Sequence, residues 1–336
     1  MSNKFLEGKV AIVTGSGQGV GRAIAMKLAE NGAKVITNNR KPGKNNATEM
    51  LTKEAIASMT AEEIAEMNRK YDEVGGDAQT TANSIKGLGG EATPFFCDIS
   101  DFAATKELVE FAVKTYGAVD IIANIAGAFG FGSVTEVSEE MWDRVTGVKP
   151  KGYFNVIHHA APYMIEKKWG RIINTTSRAF LGDWILHPEY CAANAGVIGL
   201  TRAVAIELFP HNITCNAFEP FARTRAAVDL EAGANAKAGN HVVMPGLKLP
   251  SFDFTPPPEG VAPFVCYLAS DKAANISGSV FSLAGNSIGM YSTSDIQANI
   301  SKVPFSELWT QEELEFAVPF NLMRGYKSLA DPSNAH

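Results

Sequence analysis

The segment Thr14-Gly15-Ser16-Gly17-Gln18-Gly19-Val20-Gly21 follows an apolar run from Lys9 and opens a helical pattern that continues to Glu30. A chain that turns through closely spaced glycines from strand directly into helix has few folds open to it. Gly15 permits a tight turn, Gly19 lets backbone N–H groups approach a pyrophosphate, and Gly21 allows the helix to pack closely on the strand. The helix N-terminus then turns its positive end toward the phosphates. Gly15, Ser16, Gly17, Gln18, Gly19, Val20 and Gly21 are therefore expected to cradle a dinucleotide.

Downstream, short β-rich runs alternate with longer helical patterns, as in a parallel sheet covered on both faces. Seven strands are expected, at Lys9–Thr14, Lys34–Asn38, Thr93–Cys97, Val119–Asn124, Arg171–Thr175, Thr214–Glu219 and Ser279–Leu283. Helical periodicity marks Gly21–Glu30, Asp101–Tyr116, Ser138–Lys167 and Tyr190–Phe209. The predicted fold is α/β, a Rossmann-type, doubly wound, seven-stranded parallel domain over 1–290 with an extension over 291–336. Two segments exceed the minimal alternation. Residues 41–76 form an insertion in which Thr60-Ala61-Glu62-Glu63 reads as a capping box opening a helix, either a packed surface helix or an oligomer or substrate contact. Residues 221–258 are loop-like, rich in Ala, Gly and Pro, and read as a substrate lid.

Composition narrows the partners. At 336 residues with 46% hydrophobic and 20% charged side chains, the chain reads as an ordinary globular protein. A formal charge of −6 and the lack of basic runs argue against nucleic acid. No apolar run approaches a membrane span, and the N-terminus has no signal-peptide core. The four cysteines are widely spaced, which fits buried thiols in a reducing compartment, so a cytoplasmic location is expected. No metal is expected, since the adjacent His158 and His159 point about 100° apart on a helix.

The second strand ends Thr37-Asn38-Asn39-Arg40-Lys41, without the carboxylate that binds a plain adenosine ribose. Arg40 can pair with a 2'-phosphate that a carboxylate would repel, so NADP(H) is favoured over NAD(H). The alternative is that Arg40 and Lys41 are solvated charges and Asn39 hydrogen-bonds an unphosphorylated ribose.

Taken together, these motifs resemble the short-chain dehydrogenase/reductase family over roughly residues 5–290, with an ending through Tyr291 similar to the hydroxyacyl-CoA dehydrogenase module of peroxisomal multifunctional enzymes. Thr14, Gly15, Gly19 and Gly21 match the family's T-G-x-x-x-G-x-G. Asp98, followed by Ile99, matches the aspartate that holds adenine, and Asn124-Ile125-Ala126-Gly127 matches N-N-A-G except at its second position. Pro220 and Thr224 match the nicotinamide-side P-G-x-x-x-T, with Phe221 in place of its glycine. Ser177 and Tyr190 stand at the catalytic 13-residue spacing, but Tyr190-Cys191-Ala192-Ala193-Asn194 reads Y-x-x-x-N where the family has Y-x-x-x-K. Lys149, in Asp143 to Gly152, aligns with the family's catalytic asparagine. Lys and Asn have exchanged places.

The exchange matters because phenolate formation at pH 7 costs a free tyrosine about 4 kcal/mol, which a nearby ammonium lowers. Lys149 is expected either to supply that cation from the other side of the site, directly or through water, or to snorkel to solvent and leave the site degenerate. Pro150 is expected to kink the helix. The catalytic set is thus Ser177, Tyr190, Lys149 and Asn194, with Tyr190 and Asn194 also at the cofactor. Phe129, Phe180, Trp184, His187 and Phe221 are candidate substrate contacts and suggest an apolar small molecule, although core packing explains some of them. His187 is either a loop residue or a proton relay. Hydride transfer between NADP(H) and a carbonyl/alcohol pair or an enone is expected. The competing expectations are a cofactor-binding protein without turnover and a non-redox lyase or hydratase. The resemblance also implies a homodimer or homotetramer.

Overall fold

Val10–Thr14 (β1) is buried at every residue, as a strand covered on both faces must be. It lies inside an eight-stranded sheet, third from one edge, in the computed structural model, which describes residues 4–43, 51, 53–182, 186–235, 252–292 and 309–323. The other strands are Lys34–Asn39 (β2), Ala92–Phe96 (β3), Ile121–Asn124 (β4), Gly170–Thr175 (β5), Ile213–Phe221 (β6), Val280–Ala284 (β7) and Ser287–Met290 (β8). Their order is β3-β2-β1-β4-β5-β6-β7-β8, parallel except for the β7/β8 pair. The order reverses between β1 and β4, which opens a crevice at the carboxyl ends of these strands.

All seven expected strands form. The eighth is an addition, because Gly285-Asn286 closes a two-residue hairpin between Ala284 and Ser287. Gly285 supplies the positive φ (58°) such a turn requires. Ser287-Ile288-Gly289-Met290 does alternate, but four exposed residues with a glycine inside the period are too short a run to mark a strand.

Helices Gly19–Glu30 (α1), Lys53–Ala57 (α2), Ala61–Val74 (α3), Ala78–Gly87 (α4), Phe102–Tyr116 (α5), Glu139–Thr146 (α6), Tyr153–Lys167 (α7), Pro188–Leu208 (α8), Arg225–Asn235 (α9) and Ala262–Leu268 (α10) cover the two faces. One core joins α1, α4 and α10 to the sheet, and the other joins α5, α7 and α8. The expected helix over 138–167 is interrupted: Gly147–Gly152 forms a wide turn in which Lys149 is extended (φ −129°, ψ 128°). A residue before proline is pushed out of the helical region, so Pro150 causes the break. Among the described residues, the segment Pro188–His211 containing α8 is long and apolar enough to cross a membrane. Its Ala193, Asn194, Val197 and Thr201 are instead buried against the domain.

The insertion and the lid meet. Thr60 and Glu63 form the expected capping box of α3. Within the segment expected to be loop, Arg225–Asn235 is helical, since Ala226, Ala227, Leu230, Glu231 and Ala232 are strong helix formers. Met67 and Tyr71 of α3 pack with Val228, Ala232 and Phe252 in a small core of their own. Beside it Lys70 pairs with Glu231 and the Tyr71 hydroxyl donates to Asp229.

By contact density the chain divides into two units, Met1–Met244 with Lys248–Tyr291, and Pro245–Leu247 with Ser292–His336. In the second, the described residues form a helix, Gln311–Ala317 (α11), capped by Thr310 and Glu313, in which Phe316 contacts Phe320 of the following turn at 5.1 Å.

Lys70 is buried and Glu231 only partly so, so removing the lysine leaves a partly solvated carboxylate. Lys70→Ala is expected to lower the unfolding free energy by about 1–2 kcal/mol, and the Lys70→Ala/Glu231→Ala double variant by less than the sum of the singles. Urea denaturation checks both, and strictly additive losses would show that the pair is not coupled.

Candidate active site

The glycine turn is built by exclusion of side chains. Gly15 has φ 64°, and a Cβ on it would lie 2.7 Å from the Ala126 Cα. At Gly17 a Cβ would lie 2.2 Å from the Asn39 Oδ1 and 2.6 Å from the Asp77 Cα. Thr14 Oγ1 accepts from the N–H groups of Ile125 (3.0 Å) and Ala126 (3.2 Å), tying the ends of β1 and β4 together. No side chain caps α1 and no carboxylate stands in its first turn, so the N–H groups of that turn remain open to an anion. Thr224 at the start of the lid reaches the same turn, 3.2 Å from where a Gly19 Cβ would be.

The adenosine side follows from the end of β2. Asn39 Oδ1 is buried with no protein partner, an acceptor facing the glycine turn, and Arg40 beside it is exposed. Asp98 uses Oδ1 to accept from the Ser100 N–H (2.9 Å) and hydroxyl (2.7 Å), which fixes the turn after β3, and Ile99 is buried against Gly152. Asn124 donates to Asn174 at 3.0 Å and leaves its own Oδ1 unpartnered. Open helix N–H groups, the orphan Asn39 acceptor and a close-approach glycine fit a dinucleotide.

Beyond the β4 turn, four side chains converge. Lys149 leaves the helix break and turns inward: it is 4% exposed, and its Nζ donates to Asn194 Oδ1 at 3.3 Å. Its aliphatic stem passes the face of Gly127. The ammonium also lies 5.6 Å from the Tyr153 ring, whose hydroxyl donates to the Ala126 carbonyl at 2.8 Å. Asn194 Nδ2 donates to the Tyr190 carbonyl (2.8 Å), one helical turn back. The Tyr190 hydroxyl hydrogen-bonds with Ser177 and Asn194. Asn194 thus links Lys149 to Tyr190.

Burial dominates the electrostatics here. It pushes the Tyr190 phenol up to about 12, although the hydrogen bonds from Ser177 and Asn194 pull the other way. Burial also lowers the Lys149 ammonium to about 7, so the amine exchanges its proton in the neutral range.

The substrate-side residues divide. Phe129 stacks on Tyr190 with centroids 4.7 Å apart. Phe180 packs against Tyr291 at 4.9 Å and joins a small core with Ile198, Ala217 and Val280, so much of its surface is structural. Phe221 ends β6, within the ladder to β7, and Pro220 precedes it there. Trp184 lies outside the described residues. His187 is a loop residue directly before α8 and is fully buried, with its ring 6.4 Å from that of Tyr190 and Nδ1 3.8 Å from Glu189. Sequence reading missed Tyr153, Glu189 and Glu219, all buried at the site. Only the adjacency of Glu189 and Glu219 to Tyr190 and Pro220 hinted at them.

The family profile described as short chain dehydrogenase matches residues 9–70 and 53–232. The 3-oxoacyl-(acyl-carrier-protein) reductase FabG of Thermotoga maritima is 31% identical over 281 residues, which span 83% of this chain and 98% of that protein. The hydroxyacyl-CoA dehydrogenase ChsB1 of Mycobacterium tuberculosis is 29% identical over 98% of this chain and 92% of its own length. A crystal structure of a short chain dehydrogenase from Mycobacterium avium aligns with a TM-score of 0.72 at 29% identity, covering 95% of this chain and 96% of that one.

Between pH 7 and the unfolded lysine value of 10.5, the unfolded state binds a proton at Lys149 that the folded state does not, so stability rises with pH across that window. Below it the folded state carries a desolvated ammonium. Lys149→Met is expected to raise the unfolding free energy by about 2–4 kcal/mol at pH 6 and by far less near pH 10. Chemical denaturation at the two pH values checks this, and an equal gain at both would contradict it.

Proposed function

Since the chain belongs to the short-chain dehydrogenase/reductase family of NAD(P)-dependent oxidoreductases, we propose that it interconverts a carbonyl and an alcohol, or reduces an enone, on an apolar acyl-type substrate with NADP(H). The observation that carries the reading is the 3.3 Å contact between Lys149 Nζ and Asn194 Oδ1, which rebuilds a lysine–asparagine pair beside Tyr190 with the two positions exchanged. The nicotinamide supplies or accepts the hydride. In the carbonyl direction Ser177 polarises the oxygen and Tyr190 donates the proton. Asn194 holds the ribose and links Tyr190 to Lys149, whose protonated form lowers the cost of the phenolate left behind. The open N–H groups of α1 take the pyrophosphate, Asn39 faces the ribose, and Arg40 pairs with the 2'-phosphate.

Phe129 against Tyr190 favours an apolar group next to the reacting carbon, and the acyl substrates named for FabG and ChsB1 agree with it. The reductase domain spans 1–290, with residues 291–336 as an extension, in a cytoplasmic homo-oligomer of the kind common in the family. A second reading, cofactor binding without redox turnover or lyase or hydratase chemistry at Tyr190, is favoured by the buried phenol at about 12 and the absent Y-x-x-x-K lysine.

A swap-back series separates them. Tyr190→Phe and Lys149→Ala are each expected to lower kcat about 100-fold or more for NADPH oxidation with a ketone and enone panel. The Lys149→Asn/Asn194→Lys double variant should stay within about 10-fold of the parent, because it restores the same pair. Arg40→Ala should raise the KM for NADPH about 10-fold and leave that for NADH unchanged. A parent protein that binds NADPH but turns over no carbonyl or enone would move the function to the second reading.

A further inference from the structure

Glu219 is 8% exposed, at the end of β6 and directly before Pro220, a place where a carboxylate has no reason to be on packing grounds. Burying it without donors would cost several kcal/mol. Three donors converge on it instead. The Ser282 hydroxyl of β7 donates at 2.5 Å and the Tyr291 hydroxyl at 3.1 Å, both to Oε1, and the backbone N–H of Arg178 is the third.

The Arg178 N–H is the informative one, because it belongs to the residue after Ser177. The β5/β6 ladder continues past β5 only as far as Thr176, whose N–H donates to the Phe218 carbonyl at 2.8 Å. Ser177 then leaves the sheet and caps a short turn, Arg178–Leu181, accepting from the Ala179 N–H at 3.2 Å. That turn is closed by Gly182 at φ 78°. The bonds inside the turn fix its shape but not its position over the sheet. Phe180 packs the far side of the turn on Ala217 of β6 and Val280 of β7, and Glu219 adds a hydrogen-bonded tie to β6 directly beside Ser177, itself braced by β7 and by the residue following β8.

Glu219 also acts on Tyr190 by charge. Around Tyr190 are Ser177, Asn194, Cys191, Glu219, Tyr153, the buried His187 and Glu189 and, through Asn194, Lys149. The charge of Glu219 opposes formation of a phenolate, adding to the larger effect of burial. Facing Glu219 are Arg178, Ser282, Tyr291 and Tyr190. Exposed Arg178 offsets the carboxylate from the outer side, and burial raises the Glu219 carboxyl above its ordinary range.

We propose that Glu219 is a positioning residue, which holds Ser177 at the hydroxyl of Tyr190 by anchoring the Arg178 N–H. The proposal rests on Ser177 and Tyr190 being the reacting pair.

The test uses the full chain with Glu219→Ala, Glu219→Gln and Tyr190→Phe, read by kcat and KM against pH, by NADPH binding, by thermal melting and by ultraviolet titration of the phenol. Glu219→Ala should lower kcat about 10-fold with NADPH affinity unchanged within about 2-fold. Glu219→Gln keeps an acceptor for the Arg178 N–H and should recover kcat to within about 3-fold of the parent. Having lost the charge, it should also move the Tyr190 titration, in absorbance and in the alkaline limb of the pH profile, about half a unit lower. Equal losses in the Ala and Gln variants with no movement of the titration, or no loss in either, would overturn the proposal. If Tyr190→Phe keeps parental turnover, the Ser177/Tyr190 assignment fails and the proposal falls with it. If Tyr190→Phe is inactive and the Glu219 variants behave as the parent, only the role of Glu219 fails. Should the parent prove to have no turnover, the phenol titration alone decides, and an unshifted Glu219→Gln curve overturns the proposal.

Discussion

Three backbones meet where side chains are missing. The β1 turn at Gly15 lies against Ala126 after β4, Gly17 lies against Asp77 at the start of α4, and Gly21 stacks on the Gly15 carbonyl. A Cβ at any of these points would fall inside 3 Å of a neighbouring backbone atom, so the crevice between β1 and β4 exists only with glycine there. The open N–H groups of α1, the orphan acceptor of Asn39 and the approach of Thr224 from the lid all take their positions from that closure. Gly76 extends it: its own Cβ would lie 2.4 Å from the Gly17 carbonyl, so the end of the insertion rests on the cofactor turn.

The insertion is therefore more than a surface addition. At one end it packs on the glycine turn, and along α3 it packs through Met67, Lys70 and Tyr71 on the lid helix α9. A single segment touches both the glycine turn and the segment that follows β6. Buried charges recur through the same domain: Lys70 with Glu231, Lys149 with Asn194, and Glu219 with its three donors. Each such group is costly unless its partners are held in place, so each fixes the relative position of two elements.

The exchange of Lys149 and Asn194 illustrates how far a motif carries chemistry. Read as text, Y-x-x-x-N is a broken motif. In space the helix break at Pro150 extends Lys149 and turns its side chain inward until it meets the residue that took its place. The same burial that brings it there lowers its proton affinity into the neutral range.

The sequence by itself determined the fold class, seven of the eight strands, the capping box of α3 and the glycine turn, because these depend on local periodicity and on residues with special backbone freedom. It also marked Ser177 and Tyr190, whose spacing is set by one strand-to-helix connection. Tertiary structure alone decided that Lys149 meets Asn194 across 45 residues of chain, that Glu219 reaches the turn of Ser177, that His187 is buried, and that α3 pairs with α9. Those facts depend on where a break, a strand end or a helix face lands in space after the sheet has closed. Contacts between residues far apart in the chain leave no period and no neighbouring signal from which a single sequence could show them.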